Sequence, residues 1–259
     1  MTAANHLVIL TYHSISAGDS PLNISPALFT EQMEWLASHT SVMALDHVIG
    51  QPTDAIDRRT VILTFDDGYA DFYSNAAPIL LKLKLPAIVF LPTAHVGRTN
   101  GWPGQPAWVK EEPLMTWDQV KELAEAGIEF GSHTVNHPDL TQLAPTHLER
   151  ELADSRREIE QRSGRTVAHF CYPYGKWNGA VRDATLRHYR SACTTIAGTL
   201  RDMPQRAGSD HGLLPRVDAH YVRNPGLFRT MFTQRFGAYI AARRLIRRAR
   251  RQPEGGYPS

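Results

Sequence analysis

VILTFDDG, residues 61–68, is an unbroken run of β-branched, aliphatic and aromatic side chains that ends in two acids and a glycine. A continuous apolar run of this length reads as a strand buried on both faces, as in a parallel sheet. The glycine permits a sharp turn straight after it. Asp66 and Asp67 then stand at the C-terminal end of a strand and point in different directions, so one acid can bind a metal while the other stays free as a base. On these residues alone an Asp-Gly turn with solvated acids reads equally well.

Working outward, further apolar runs at 7–12, 87–91, 128–131, 167–172, 191–194 and 214–218 read as strands. Between them lie helix-like stretches at 26–38, 71–84, 116–126, 145–163 and 178–188, with a long terminal helix from about 225. Thr116 with Gln119 has the spacing of a capping box. Residues 97–113, rich in Gly, Pro and Trp, form a long loop. Regular strand–helix alternation means parallel strands joined by helical crossovers. About seven such units fit a closed or nearly closed α/β barrel, in which chemistry collects at the strand C-termini.

The chain has 259 residues, 42% hydrophobic and 21% charged, enough for a sizeable core without disulfides. Its two cysteines, Cys171 and Cys193, form no framework and no CxxC. No apolar run has the length of a membrane span, and the start lacks the basic n-region of a signal peptide, so a cytoplasmic protein is expected. Residues 227–259 hold eight Arg against one Glu, which leaves −5 on residues 1–226. A mildly acidic body argues against a broad nucleic-acid surface.

Two more signals follow strands. In FGSHTVNHP, residues 130–138, His133 and His137 are four apart, so both imidazoles can reach one ion. Alone the spacing is weak, but with Asp67 it makes a two-His, one-carboxylate set that leaves room for water and substrate. In HFCYPYG, residues 169–175, a strand ends in a Pro-bounded aromatic loop. Among the twelve histidines, His6, His39, His47, His147, His169 and His188 read as structural or solvated.

These motifs resemble those of the polysaccharide deacetylases, carbohydrate esterase family 4 with its NodB homology domain. Thr64–Gly68 match the family's TFDDG, residues 133–137 match its H(S/T)xxH, and the intervening LAEAGIEFGSHT run is similar too. The resemblance covers roughly residues 7–220 and implies an irregular (β/α)7-type barrel over 1–226, followed by a basic amphipathic helix and tail over 227–259. Two departures stand out. Cys171 occupies the place of the family's motif-three Arg, and no DxxDW or leucine-x-His motif follows near the end of the domain. ILTYHSI, residues 9–15, and the NISPALFTEQMEWL stretch after it are similar to the circularly permuted branch that deacetylates poly-N-acetylglucosamine.

The resemblance implies a metal-dependent hydrolase that removes N-acetyl groups from a glycan. Asp67, His133 and His137 would hold one divalent ion, expected to be zinc, with cobalt, nickel or iron also suited to the set. Asp66 would be the base, His13 the acid, with His211 or His220 as alternatives, and the Tyr174 backbone N–H the oxyanion donor. Arg216, in LPRVD, is the candidate replacement for the missing Arg. Two alternatives stay open: the same chemistry on another amide, such as an N-formyl sugar or allantoin, and a non-catalytic carbohydrate-binding relative. Trp102 and Trp108 mark the loop where the choice of substrate is expected to be made. The terminal helix reads as docked on the barrel with a solvated Arg face. Its functional alternative is contact with the inner face of a membrane, close to lipid-linked glycans.

Overall fold

The computed structural model describes residues 6–49, 51, 56, 59–200 and 211–249. Its strands are β1 (His6–Tyr12), β2 (Ser41–Val42), β3 (Arg59–Phe65), β4 (Ala87–Leu91), β5 (Glu129–Ser132), β6 (His169–Cys171), β7 (Ser191–Ala197) and β8 (Leu214–Asp218). All pairings between them are parallel. β1 pairs with β3 from His6↔Arg59 to Tyr12↔Phe65, and on its other edge with β8 through Leu10↔Val217 and Thr11↔Asp218. The order β1-β8-β7-β6-β5-β4-β3 therefore closes on itself as a seven-stranded barrel, with β2 added beside the start of β3. The expected (β/α)7-type barrel is the one observed.

The helices are α1 (Pro26–His39), α2 (Leu45–Ile49), α3 (Ala77–Leu83), α4 (Trp117–Glu125), α5 (Pro145–Ser163), α6 (Gly179–His188), α7 (Pro225–Phe228) and α8 (Gln234–Ala249). The capping box at Thr116 and Gln119 is formed. Two expected helices differ from the sequence reading. The helix expected over 71–84 begins as a π-helical turn, Phe72–Ala76, before α3. The terminal helix is broken into α7 and α8, because the Thr230 and Thr233 hydroxyls donate to the carbonyls three residues back, at 2.7 Å each, and favour tight turns there.

Strand alternation sorts the core into two parts. Leu7, Ile9, Ile62, Ile88, Phe90, Cys171, Cys193 and Leu214 form one cluster with Leu45 and Val48 of α2, which places this parity in the barrel lumen. The opposite parity, with Val8, Leu10, Leu63, Val89 and Phe170, packs under the helices. Each fully buried Leu or Ile contributes about 1.5–3 kcal/mol. The lumen parity carried forward along the strands reaches Asp66 from β3, His13 from β1 and Arg216 on β8. Side chains far apart in sequence are thus aimed at one place by a period of two.

Phe228, Met231, Phe236 and Ile240 are buried in the same core as the strands. The Tyr239 hydroxyl donates to the Tyr221 carbonyl at 3.0 Å, and Arg243 lies 3.8 Å over the Tyr221 ring. No described helix is long and apolar enough to cross a membrane.

His169 is a buried polar group in the lumen's lower half. Its Nδ1 is 2.8 Å from Ser191 Oγ and its Nε2 is 3.4 Å from Asp46. Burial lowers its pKa to about 4 despite the nearby Asp46 charge. The fold thus favours the neutral ring, and the unfolded chain binds more protons below pH ~6.5. Stability is fully present above that pH and falls as pH drops toward 4, by on the order of 2–3 kcal/mol. In urea titrations across this window, His169→Gln is expected to flatten that part of the pH dependence; an unchanged slope would refute the assignment.

Candidate active site

The turn after β3 places the two acids apart. Asp67 and Gly68 both have φ of 69°, two successive left-handed residues. Asp tolerates this conformation better than most residues. At Gly68 a Cβ would come within 2.5 Å of Leu91 Cδ2, so the position requires glycine. Asp66 keeps the lumen parity, while Asp67 swings toward the loop after β5.

That loop is held in an unusual shape. Thr134 and His137 have φ of 74° and 56°, costly for a β-branched residue above all. The conformation is over-determined by its neighbours. The Thr134 Oγ1 accepts from the His137 N–H at 2.9 Å, and the Thr134 carbonyl accepts from Thr93 N–H at 3.1 Å. Glu151 on α5 accepts from the backbone N–H groups of Val135 and Asn136 at 2.8 and 2.9 Å. Sequence reading missed Glu151, which carries no motif and acts across the helix–loop contact.

Asp67 Oδ1 lies 3.5 Å from Nε2 of both His133 and His137, and the two Nε2 atoms are 3.2 Å apart. Bonds of ~2.1 Å meeting tetrahedrally separate their donor atoms by ~3.4 Å, so the spacing fits one ion. His133 Nδ1 donates to the Cys171 carbonyl at 2.7 Å, which turns the Nε2 lone pair inward. Burial pushes the His137 pKa down to about 3, helped by His133, so its imidazole is neutral. His133 moves the other way: burial opposes, but contacts with Cys171 and Asp67 raise it well above its usual value. Two close imidazoles and a carboxylate thus favour positive charge between them.

Asp66, His133 and Cys171 also lie within ligand distance of one another. This set fits an ion poorly. The Cys171 thiol is pushed up to about 11 by burial and stays protonated, and both oxygens of Asp66 are already engaged.

Their partner is Arg216. Its Nη1 donates to Asp66 Oδ1 at 2.8 Å and its Nη2 to Oδ2 at 2.6 Å, with Nε donating to the Thr194 carbonyl at 2.8 Å and Nη1 to Thr64 Oγ1 at 3.1 Å. Cys171 Sγ is 3.1 Å from Nη2, so the small thiol on β6 leaves the space that a guanidinium from β8 fills. Burial alone would raise the Asp66 pKa, but the Arg216 charge overrides it and holds the carboxyl well below the usual carboxylate range. On the other side His13 Nε2 is 3.9 Å from Asp66 Oδ2. Asp71 steadies the segment after His13, accepting from Ser14 Oγ at 2.5 Å and from Ile15 N–H at 2.9 Å.

The alternative acids flank β8. His211 precedes β8, at the opposite end of the barrel from Asp66 and Asp67. His220 follows β8, and its backbone N–H donates to Asp218 at 2.8 Å.

Tyr174 has φ of 57°, and its ring meets that of His137 edge-on with centroids 4.6 Å apart. Trp102 is buried with its ring 4.1 Å from that of His137, so this indole packs against a candidate ligand and presents no open face for a sugar. Trp108 is the exposed one of the pair, at 37%.

Relatives were found by sequence and by structure. Over 239 residues the chain is 30% identical to the Bacillus subtilis protein YxkH, named as a polysaccharide deacetylase, covering 90% of this chain and 76% of that one. It is 25% identical over 206 residues to a poly-beta-1,6-N-acetyl-D-glucosamine N-deacetylase of Staphylococcus aureus, covering 75% of this chain and 67% of the relative. The Streptococcus pyogenes deacetylase PplD, solved in complex with acetate, superposes with a TM-score of 0.69 at 26% identity, over 82% of this chain and 92% of that one. Residues 53–190, which carry the paired acids, the two imidazoles and the Cys171 loop, match the family described as polysaccharide deacetylase, and the chain belongs to that family.

Proposed function

We propose that this chain is a metal-dependent glycan N-deacetylase, which hydrolyses the acetamide of an N-acetylhexosamine in a glycan and releases acetate. The observation that carries this reading is the division of two adjacent acids between two environments: Asp67 faces two imidazoles, while Asp66 faces Arg216 and His13. Hydrolysis of an unactivated amide needs carbonyl activation, a base for water and an acid for the leaving nitrogen, and this division supplies a group for each. The Staphylococcus aureus relative is named for this reaction.

A divalent ion held by Asp67, His133 and His137, with zinc the expected one, would polarise the acetamide carbonyl and acidify a neighbouring water. Asp66, kept ionised by Arg216, takes the proton of the attacking water. A carboxylate held so far below its usual pKa is a weak base, so it serves only an acidified water, and the base and the ligand set depend on each other. The Tyr174 backbone N–H is offered to the oxyanion by the left-handed turn that carries it. His13 donates its proton to the departing amine, which leaves as a neutral sugar amine.

The test is acetate release from N-acetylglucosamine oligomers, with metal content measured alongside. Chelation is expected to reduce release by about 10³-fold or more, and zinc or cobalt to restore it. His137→Ala is expected to hold less than one ion per chain by elemental analysis and to stay inactive on reloading. Release at the full rate from metal-free protein would overturn the reading.

A further inference from the structure

The apolar face of α8 changes sides along its length. Up to Ile240 it is the side turned to the barrel, with Phe236 and Ile240 at 1% and 2% exposure. Residues three, four, seven and eight beyond Ile240 continue that side of the helix, and they are Arg243, Arg244, Arg247 and Arg248. Apolar residues reappear across the helix. Ala242, Leu245, Ile246 and Ala249 fall within an arc of about 100°, opposite the stripe of Phe236 and Ile240, with positions 243 and 248 bordering it.

Burial follows the same change. Among the described residues beyond Ile240 none is buried: Ala241, Ala242 and Leu245 are exposed, Leu245 at 66%. Arg243 is half-buried, its guanidinium 3.8 Å over the Tyr221 ring. Docking this stripe on the core would bury guanidinium groups without acids, which is strongly unfavourable. Residues 219–253 hold nine Arg and no Lys, Asp or Glu, so no acid of this segment offsets the charge. A second copy of the chain brings the same charge and is repelled by it. An anionic lipid surface matches both features at once, with acyl chains for the apolar arc and phosphate groups for the arginines at its borders. Tyr221 follows the C-terminal end of β8, so the arc starts at the end of the barrel that holds Asp66 and His13.

We propose that the end of α8 is a docking surface for an anionic phospholipid bilayer, with Leu245 and Ile246 as its apolar anchors. Two large apolar side chains give only weak insertion, so attachment depends on lipid charge and is reversible. This adds a peripheral membrane contact to the chain and stands apart from the glycan deacetylase reading.

The experiment is co-sedimentation of the full chain with vesicles of phosphatidylcholine, alone or with about 30% phosphatidylglycerol, for wild type, Leu245→Ser and the double variant Arg247→Ala, Arg248→Ala. The wild type is expected to pellet with the anionic vesicles only, and to be released as salt rises from about 0.1 M to 1 M. Leu245→Ser is expected to weaken partitioning about tenfold and the double variant about thirtyfold. Leu245 is exposed, so Leu245→Ser is expected to unfold at the wild-type temperature. No pelleting with anionic vesicles at low salt would overturn the proposal. Pelleting untouched by Leu245→Ser would overturn it too, by leaving charge alone at work. Concentration-dependent dimerisation in sedimentation velocity, abolished by Leu245→Ser and without vesicle binding, would assign the arc to a second copy instead.

Discussion

Asp66→Asn is expected to lower acetate release by about 10²–10⁴-fold while the protein still binds one ion per chain. The substitution removes the proposed base and leaves Asp67, His133 and His137 in place. An amide can still accept one hydrogen bond from Arg216, but its –NH₂ then faces the other donor of the fork, so some stability is lost as well. Rates should therefore be measured well below the unfolding temperature of the variant, with near-ultraviolet circular dichroism confirming native packing. Activity within tenfold of wild type in a folded, metal-loaded variant would place the base elsewhere.

Arg216→Leu is expected to have the largest effect on stability. Asp66 and Arg216 are both buried, at 4% and 3% exposure, and the carboxylate keeps its charge through the guanidinium. Removing one partner of such a pair costs about 3–5 kcal/mol, because the other charge is left without compensation. The pH dependence has a definite sign. In the wild type Asp66 has a depressed pKa, so its contribution is present above the ordinary carboxylate range and is lost as pH falls through its folded value. Without Arg216 burial raises the Asp66 pKa instead, so the variant's deficit is largest near neutrality and shrinks on acidification. Urea unfolding at several pH values measures this. Arg216→Lys is expected to recover only part of the loss, since a point charge cannot bind both oxygens in parallel. A deficit that does not change with pH would show that the loss is one of packing.

Much of the barrel was legible because its strands are buried on both faces and so read as continuous apolar runs, as in residues 61–65 and 87–91. β2 and α2 were not: runs of two and five residues carry no periodicity to detect. The π-helical turn at Phe72–Ala76 escaped for another reason. Its apolar spacing is close to that of an α-helix, so no local pattern marks the extra residue per turn.

Within the site, the placement of Asp67, His133 and His137 was legible from motifs that each follow a strand. The juxtaposition of Arg216 with Asp66 was legible from a gap, since Cys171 stands where an arginine was expected and LPRVD offered one at a strand end. Glu151 and the packing of Trp102 against His137 were not legible. Each depends on how a helix or loop settles against the rim, and no local pattern records that.

Ring closure between β1 and β8 has a consequence for biogenesis. Leu10 and Thr11 find Val217 and Asp218 only after nearly the whole barrel sequence has been synthesised. Such distant pairing is slow to form. Until β8 joins the ring, Asp66 lacks its guanidinium, and burying the bare carboxylate would be strongly unfavourable. Sealing of the barrel and pairing of Asp66 with Arg216 then coincide in one late event, so a ribosome-bound fragment that ends before residue 214 carries Asp66, Asp67, His133 and His137 and still lacks the ion pair that keeps Asp66 charged.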